Sequence, residues 1–337
     1  MTALPTLALL LTAAPAADRP AEVTIAVEKG HIDFRCGPEL SARYVTDPKQ
    51  AKPFFWPLHA PGGLTVTRSW PMEDAGSDEM KDHVHQKSAW FCHGDVIPEG
   101  VELKQKIKGV EGVDFWSEAK GHGDMVCTRV DEPQVGKDRA TVKTHNEWRS
   151  ADGAKLLDEE RTIHFYDLGP ARLLVVDIDL TAAVPVKFGD TKEGSFGVRI
   201  NDQITALKGK GKIQNAEGIV ARDLKSEVQN ECWGKISAWC DYSGPIDGKE
   251  AGLAILADPK NAQLSCWHVR GYGLMAANPF GRARAAFPAV QGRKDLVQLA
   301  KGEHLRLRYG ILLHTGDAET GRVAEHYQRF VQLRDKD

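Results

Sequence analysis

Residues 81–95 hold three histidines, His83, His85 and His93, and two aspartates, Asp82 and Asp95, beside the aromatic pair Trp90-Phe91. Packing a core asks for no such combination. Imidazoles and carboxylates this dense serve to bind a metal ion or to move protons on a polar substrate. In an extended segment His83 and His85 project from one face, and a following turn can add His93 or Asp95. One divalent metal ion held by His83, His85 and His93 is therefore one expectation. The spacing is far less diagnostic than HExxH on a helix, so a metal-free hydrogen-bonding site is the competing expectation, and histidines with structural duties are a third.

A second group follows at Val113-Asp114-Phe115-Trp116-Ser117-Glu118 and Gly121-His122-Gly123. Asp114 and His122 can supply an acid and a base, whereas the plainer use of Asp114 and Glu118 is to cap backbone groups around an anchored Phe115 and Trp116. Lys192, Glu193 and Arg199 flank glycines in 190–199, which suits close approach of an anion or a sugar hydroxyl. Segments 239–245 and 267–281, the latter with Trp267, Arg270 and Asn278, combine rings with polar groups on glycine-rich loops. The eight tryptophans among scattered Asp, His and Arg fit a carbohydrate site, where sugar C–H faces stack on indole and hydroxyls take charged hydrogen bonds. Trp90, Trp116 and Trp267 are the candidate platforms, and His122, Lys192, Glu193, Arg270 and Asn278 the candidate ligand-holding groups. Tryptophan is more often core than platform, so no single one decides.

These residues need strands to place them. Val23, Ile25 and Val27, then Val176, Ile178 and Leu180, then Leu305, Leu307, Tyr309, Ile311 and Leu313 alternate with polar neighbours, the pattern of strands with one buried face. Pro61-Gly62-Gly63, Ala151-Asp152-Gly153, Ser243-Gly244-Pro245 and Asp247-Gly248 break the strands with turns. Glu147 and Glu160, on two strands joined at Ala151-Asp152-Gly153, are expected on a solvated, ion-paired face. Only the C-terminus reads as a helix, with Asp317 as its expected cap and Val323, Tyr327 and Phe330 on the covering face. The expectation from these residues is a mostly β chain, one large antiparallel assembly of sandwich or barrel form, with a C-terminal helix.

Across 337 residues, 32 glycines, 17 prolines, 42% hydrophobic and 27% charged residues describe a turn-rich globular protein without low-complexity tracts. A net charge of -3 with mixed signs offers no basic stripe, so no nucleic-acid partner is expected; 207–212 is too short a lysine run to be more than a solvated turn. Residues 1–17 carry an apolar run closed by Ala14-Pro15-Ala16, a form that signal peptidase accepts. An exported chain from Asp18 to Asp337, periplasmic or extracellular, with no membrane span and one domain, is the resulting expectation. The six cysteines show no metal-binding spacing; Cys232 and Cys240 could pair after export, and buried free thiols are the plainer expectation.

Read in order, 53–58, 66–71, 82–85, 90–96, 113–116, 191–197, 239–244, 267–270 and 277–281 resemble the PmoA-like family, a large set of bacterial proteins of unknown function that carry the name methane oxygenase PmoA. The resemblance covers nearly all of 18–337. It implies a β-sandwich similar to the galactose-mutarotase-like supersandwich, and His83, His85, His93, Asp95 and Asp114 match its pattern. Gln86, Lys87 and Ser88 depart from it where a further histidine, arginine and glycine are usual, as does Cys92 where glycine is usual. A membrane-bound methane monooxygenase is not implied, since no later segment approaches the ~20 apolar residues of a span. The expected activity is carbohydrate chemistry of the epimerase, lyase or hydrolase type on a small-molecule or oligosaccharide ligand. His83, His85 or His93 would move a proton with Asp95 or Asp114 as partner. A non-catalytic carbohydrate-binding protein and a metal-dependent oxygenase are the alternatives.

Overall fold

Alternating apolar residues make long strands here because each buries one face: along His304–Thr315, Leu305, Leu307, Tyr309, Ile311 and Leu313 lie within the main core. The computed structural model describes residues 22–74, 79–136, 139–226 and 231–333, so the expected export segment at 1–17 lies outside the described residues. Its architecture is the expected one, mostly β and antiparallel with one C-terminal helix.

One sheet runs in the order Val23–Glu28, His31–Cys36, Glu39–Val45, Phe54–Ala60, Ala89–His93, Gly194–Arg199, Leu274–Asn278 and Cys266–Val269, with Leu64–Thr65 added beside Phe54–Ala60. The second runs Val220–Arg222, Lys212–Asn215, Trp239–Ile246, Lys249–Ala257, His304–Thr315, Ala171–Ala182, Lys155–Asp167, Ala140–Arg149 and Asp124–Val130, with Gln134–Val135 beside Ala140–Arg149. A small third sheet joins Val297–Leu299, Val186–Phe188 and Val96–Pro98. The two large sheets share one core: Phe91 meets Trp148, and Phe196 meets Tyr309, each pair crossing from the first sheet to the second. A polar link crosses the same interior, where Arg161 Nη1 donates to the Tyr44 hydroxyl at 2.7 Å.

The helix spans Val323–Leu333 and packs Val323 and Phe330 on an apolar cluster with Leu173, Leu256 and Leu312 of the second sheet. Asp317 is not its cap. The carboxylate accepts from Thr320 N–H and hydroxyl, closing a turn ahead of the helix. The hairpin at 151–153 forms as expected, and its outer face is ion-paired: Lys143 with Glu160, Lys155 with Asp158, and Arg149 with Glu147. All six cysteines are free, Cys232 and Cys240 included.

Candidate functional site

Because Phe91 and Phe196 point into the core, their neighbours Trp90 and Gly197 point out of the other face of the first sheet. Trp90, Gly197, Ala276 and His268 form one row across four adjacent strands in this register. Over that row lies a cavity of about 370 Å³. It gathers His83 and His85 from the loop before Ala89–His93, Asp114 and Trp116 from a second loop, Lys192 and Glu193 from a third, and His268, Arg270 and Tyr272 from the end of Cys266–Val269 and the turn beyond. Seven of the residues nominated from sequence thus meet in one place: His83, His85, Asp114, Trp116, Lys192, Glu193 and Arg270. A larger cavity of about 420 Å³ is lined by Asp202, Lys208 and Lys210 without an imidazole or an aromatic ring, and lacks the means for the same chemistry.

His83 and His85 are not on an extended strand. A turn closed by Gln86 N–H on His83 O at 2.9 Å, with His83 at φ 47°, folds the segment so that the two rings lie edge to face 5.8 Å apart. Two fully buried arginines hold this turn. Arg68 donates to Asp82 Oδ1 at 2.6 Å and to the carbonyls of Met80 and His83; Arg199 donates to the same Asp82 oxygen at 2.7 Å and to Gln86 Oε1. Arg199, expected to flank a ligand, is spent on this duty. The other carboxylate oxygen, Asp82 Oδ2, lies 2.9 Å from His83 Nδ1. Burial raises the Asp82 carboxyl, but the His83 hydrogen bond and the Arg199 and Arg68 charges outweigh it and hold the group well below the ordinary carboxylate range. An ionised Asp82 fixes the proton of neutral His83 on Nδ1 and leaves Nε2 as the basic nitrogen. Tyr272, stacked on His83 at 5.3 Å and 8°, with the Arg199 guanidinium 4.5 Å from its ring, immobilises the imidazole.

His85 lies beside Trp116 at 6.5 Å, and burial, aided by the Lys52 charge, pushes its pKa down to about 4, so it is a neutral donor and acceptor. Lys52 is buried and donates to Trp116 O and Glu118 Oε1, while Lys87 donates to Glu118 Oε2, an ion cluster that fixes the second loop from below. Trp116 is the cavity floor and not an open platform, since it is 2% exposed against Trp90 and above Gly197, where a Cβ would stand 3.1 Å from its ring. Asp114 Oδ1 accepts from the N–H groups of Trp116 and Ser117, the capping duty, although its carboxyl still borders the cavity and burial raises its pKa. Glu193 borders the cavity with no hydrogen bond to its carboxyl among the described residues and Lys192 Nζ at 4.0 Å; burial raises its pKa.

Several nominated residues act elsewhere. His93 is fully buried against Phe188 and Phe280, with Nε2 bonded to Gly189 O at 2.9 Å and Nδ1 pressed on Gly194. It cannot join His83 and His85 around one metal ion, and among the described residues no three His, Cys, Asp or Glu side chains gather as a metal-holding group. Asp95 is buried with Oδ1 accepting from Gly112 N–H. Together this stretch is a clamp for the site loops: His93 O accepts from Phe115 N–H, Gly94 N–H donates to Glu193 O at 2.7 Å, and a Cβ on Gly94 would sit 2.8 Å from that oxygen. Asn278 is likewise buried, its amide donating to the carbonyls of Thr191 and Lys192. Trp90 and Trp267 are core, the latter donating Nε1–H to Ser237 O. His122 stands outside the cavity, its Nδ1 2.9 Å from Gly123 O. Asp82, Tyr272, His268, Gln86 and Lys52 were not nominated, although all but Lys52 stand inside segments that were.

Two buried histidines, His93 and His268, and the half-buried His85 make an acid-stability prediction. Burial pushes His85 and His93 down to about 4 and, with the Arg270 charge, His268 down to about 3. Between the ordinary histidine value near ~6.5 and about 4, the unfolded chain takes up these protons and the folded chain does not, so stability is full above that window and falls as pH falls through it. The slope approaches about 4 kcal/mol per pH unit, from three groups at about 1.4 each. His314 has the opposite sign. Burial lowers it, but Asp241 at 2.8 Å raises it further, so its contribution is present at low pH and lost as pH rises. Urea midpoints measured from pH 7 to 4.5 should fall steeply, and a flat profile would contradict the neutral assignments.

A model of a family of unknown function, DUF6807, matches residues 31–328. No curated protein matches the sequence. Among solved structures, the chain is similar to the α-galactosidase from Lactobacillus brevis, with TM-score 0.46 and 9% identity over 88% of this chain and 40% of that one. It is also similar to galactose 1-epimerase from Lactobacillus acidophilus NCFM (TM-score 0.39, 8% identity, 87% of this chain and 98% of that one). A galactose mutarotase-like protein from Clostridium acetobutylicum gives TM-score 0.40 and 8% identity over 89% and 100%. The chain spans about two fifths of the length of the α-galactosidases it matches. Likeness at this level brings no residue role and no activity across.

Proposed function

We propose, for a chain that belongs to the DUF6807 family of unknown function, that the cavity binds a carbohydrate and performs acid–base chemistry at a sugar ring. One observation carries this reading: an imidazole oriented by a carboxylate, Asp82–His83, lines the same cavity as Glu193, a carboxyl with no hydrogen bond among the described residues and a raised pKa. His83 Nε2 accepts a proton from a hydroxyl, a water or a ring carbon, and protonated Glu193 gives one to an oxygen of the sugar. Neutral His85, Lys192 and Arg270 supply the hydrogen bonds that a polyhydroxylated ligand needs, and Trp116 gives the cavity an apolar floor.

The reaction type, whether epimerisation, elimination or hydrolysis, follows from the product. Mass spectra of a glycan panel incubated with the chain should show product, and His83→Ala should abolish it; a His83→Ala variant as active as wild type would overturn the reading. Saturable binding without product would favour the non-catalytic alternative. The oxygenase alternative has no support in the donor set, since His93 is committed to Gly189. Export through residues 1–17 and kinship with the PmoA-like set belong to the same proposal; among the described residues no helix is long and apolar enough to cross a membrane.

A further inference from the structure

Lys192 and Arg270 line two cavities. Besides the site already described they border a second space of about 370 Å³, completed by Trp233, Arg284 and Asp190. The cleft therefore continues past the acid–base groups into another compartment, with two cations at the junction and a third, Arg284, beyond it.

The arrangement at the junction is built. His268 Nδ1 donates to Lys192 O at 2.8 Å, so its Nε2 is an acceptor, and Arg270 Nε donates to it at 3.2 Å. The Arg270 guanidinium lies 4.1 Å from the centre of the Trp233 ring. An imidazole and an indole thus hold this cation in place without neutralising it, and no carboxylate pairs with it among the described residues. Asp190, the acidic group of this compartment, is occupied: its two oxygens accept from the N–H groups of Arg282, Arg284 and Ala285, which fixes the loop that carries Arg284. The Lys192 ammonium pairs with Glu193 alone among the described residues, at 4.0 Å. A guanidinium held flat, with no hydrogen bond to its terminal nitrogens among the described residues and two further cations nearby, matches a planar oxyanion taken in bidentate fashion.

We infer that the second compartment is a subsite for a carboxylate, so that the substrate class of the site is an acidic oligosaccharide carrying uronic acid units. This rests on the carbohydrate reading above and names its ligand more closely. The sugar bearing the carboxylate lies beside the ring that reacts, and Arg270 sets the register between the two compartments.

The test is calorimetric titration of the whole chain with tetrasaccharides of galacturonate, glucuronate and mannuronate, their methyl esters, and a sulfated neocarratetraose, each at low and high salt. At least one uronide should bind about ten-fold or more tightly than its methyl ester, with the gap narrowing in salt and closing in Arg270→Met. Arg284→Met, on an exposed side chain, should narrow the same gap and keeps the test valid if Arg270→Met does not fold. Equal binding of acid and ester overturns this inference and leaves the sugar site standing. Tighter binding of the sulfated glycan than of every uronide overturns the carboxylate assignment. No binding of any probe overturns both this inference and the carbohydrate reading.

Discussion

Asp82→Asn is expected to lower turnover of the converted glycan by about 10²–10⁴-fold while leaving KM within a few-fold, because it disturbs a base and not a binding contact. The Asp82 carboxylate accepts from His83 and from two fully buried arginines. An asparagine of the same shape keeps the loop but can present an amide N–H to His83 Nδ1, which places the imidazole proton on Nε2 and removes the basic nitrogen from the site. The substitution also leaves Arg68 and Arg199 without their shared counter-charge. Losing one partner of a buried pair costs about 3–5 kcal/mol, and less here because Asp82 is 39% exposed. Stability and catalysis must therefore be measured together: urea midpoint, kcat and KM on the same preparation. A folded Asp82→Asn chain that retains turnover within a factor of two would remove the dyad from the account.

Glu193→Gln should be nearly as damaging, by about 10²–10⁴-fold, and should change the shape of the pH profile. Burial raises the Glu193 carboxyl, so the protonated form survives to higher pH than an ordinary glutamate. Activity that needs this proton declines as pH rises through the raised value. The glutamine variant keeps size and polarity but has no proton to give, so its residual activity should lack the alkaline decline. The profile of kcat/KM for both proteins checks this. An unchanged alkaline limb in the variant would assign that limb, and the acid, to another group.

Much of the site was legible as residue types. His83, His85, Lys192, Glu193 and Arg270 stand out because polar groups beside rings and glycines are costly unless used. What stayed hidden was which partner each would find. Asp82 directly precedes His83, and in an extended strand neighbours point to opposite faces; only the turn, with His83 at φ 47°, brings the carboxylate to Nδ1. Lys52 reads as a surface lysine, yet it is buried because Trp116 O and Glu118 meet its ammonium. The opposite error concerns His93 and Asp95. The run Ala89-Trp90-Phe91-Cys92 is apolar on both faces, the mark of a strand covered on both sides, and a histidine that continues such a strand enters the interior. That the chain is mostly antiparallel β followed from alternation and turns, which are local properties, and the sandwich form from the family resemblance, whereas the meeting of three loops over one sheet row depends on strand order across residues far apart in sequence.

Long-range ¹H–¹⁵N spectra of the histidine rings test, without knowledge of the substrate, whether Asp82 orients His83 as a base. Neutral His83 is expected to carry its proton on Nδ1, hydrogen-bonded to the Asp82 carboxylate, with Nε2 unprotonated, and this signature should disappear in Asp82→Asn. A wild-type His83 with its proton on Nε2 would contradict it.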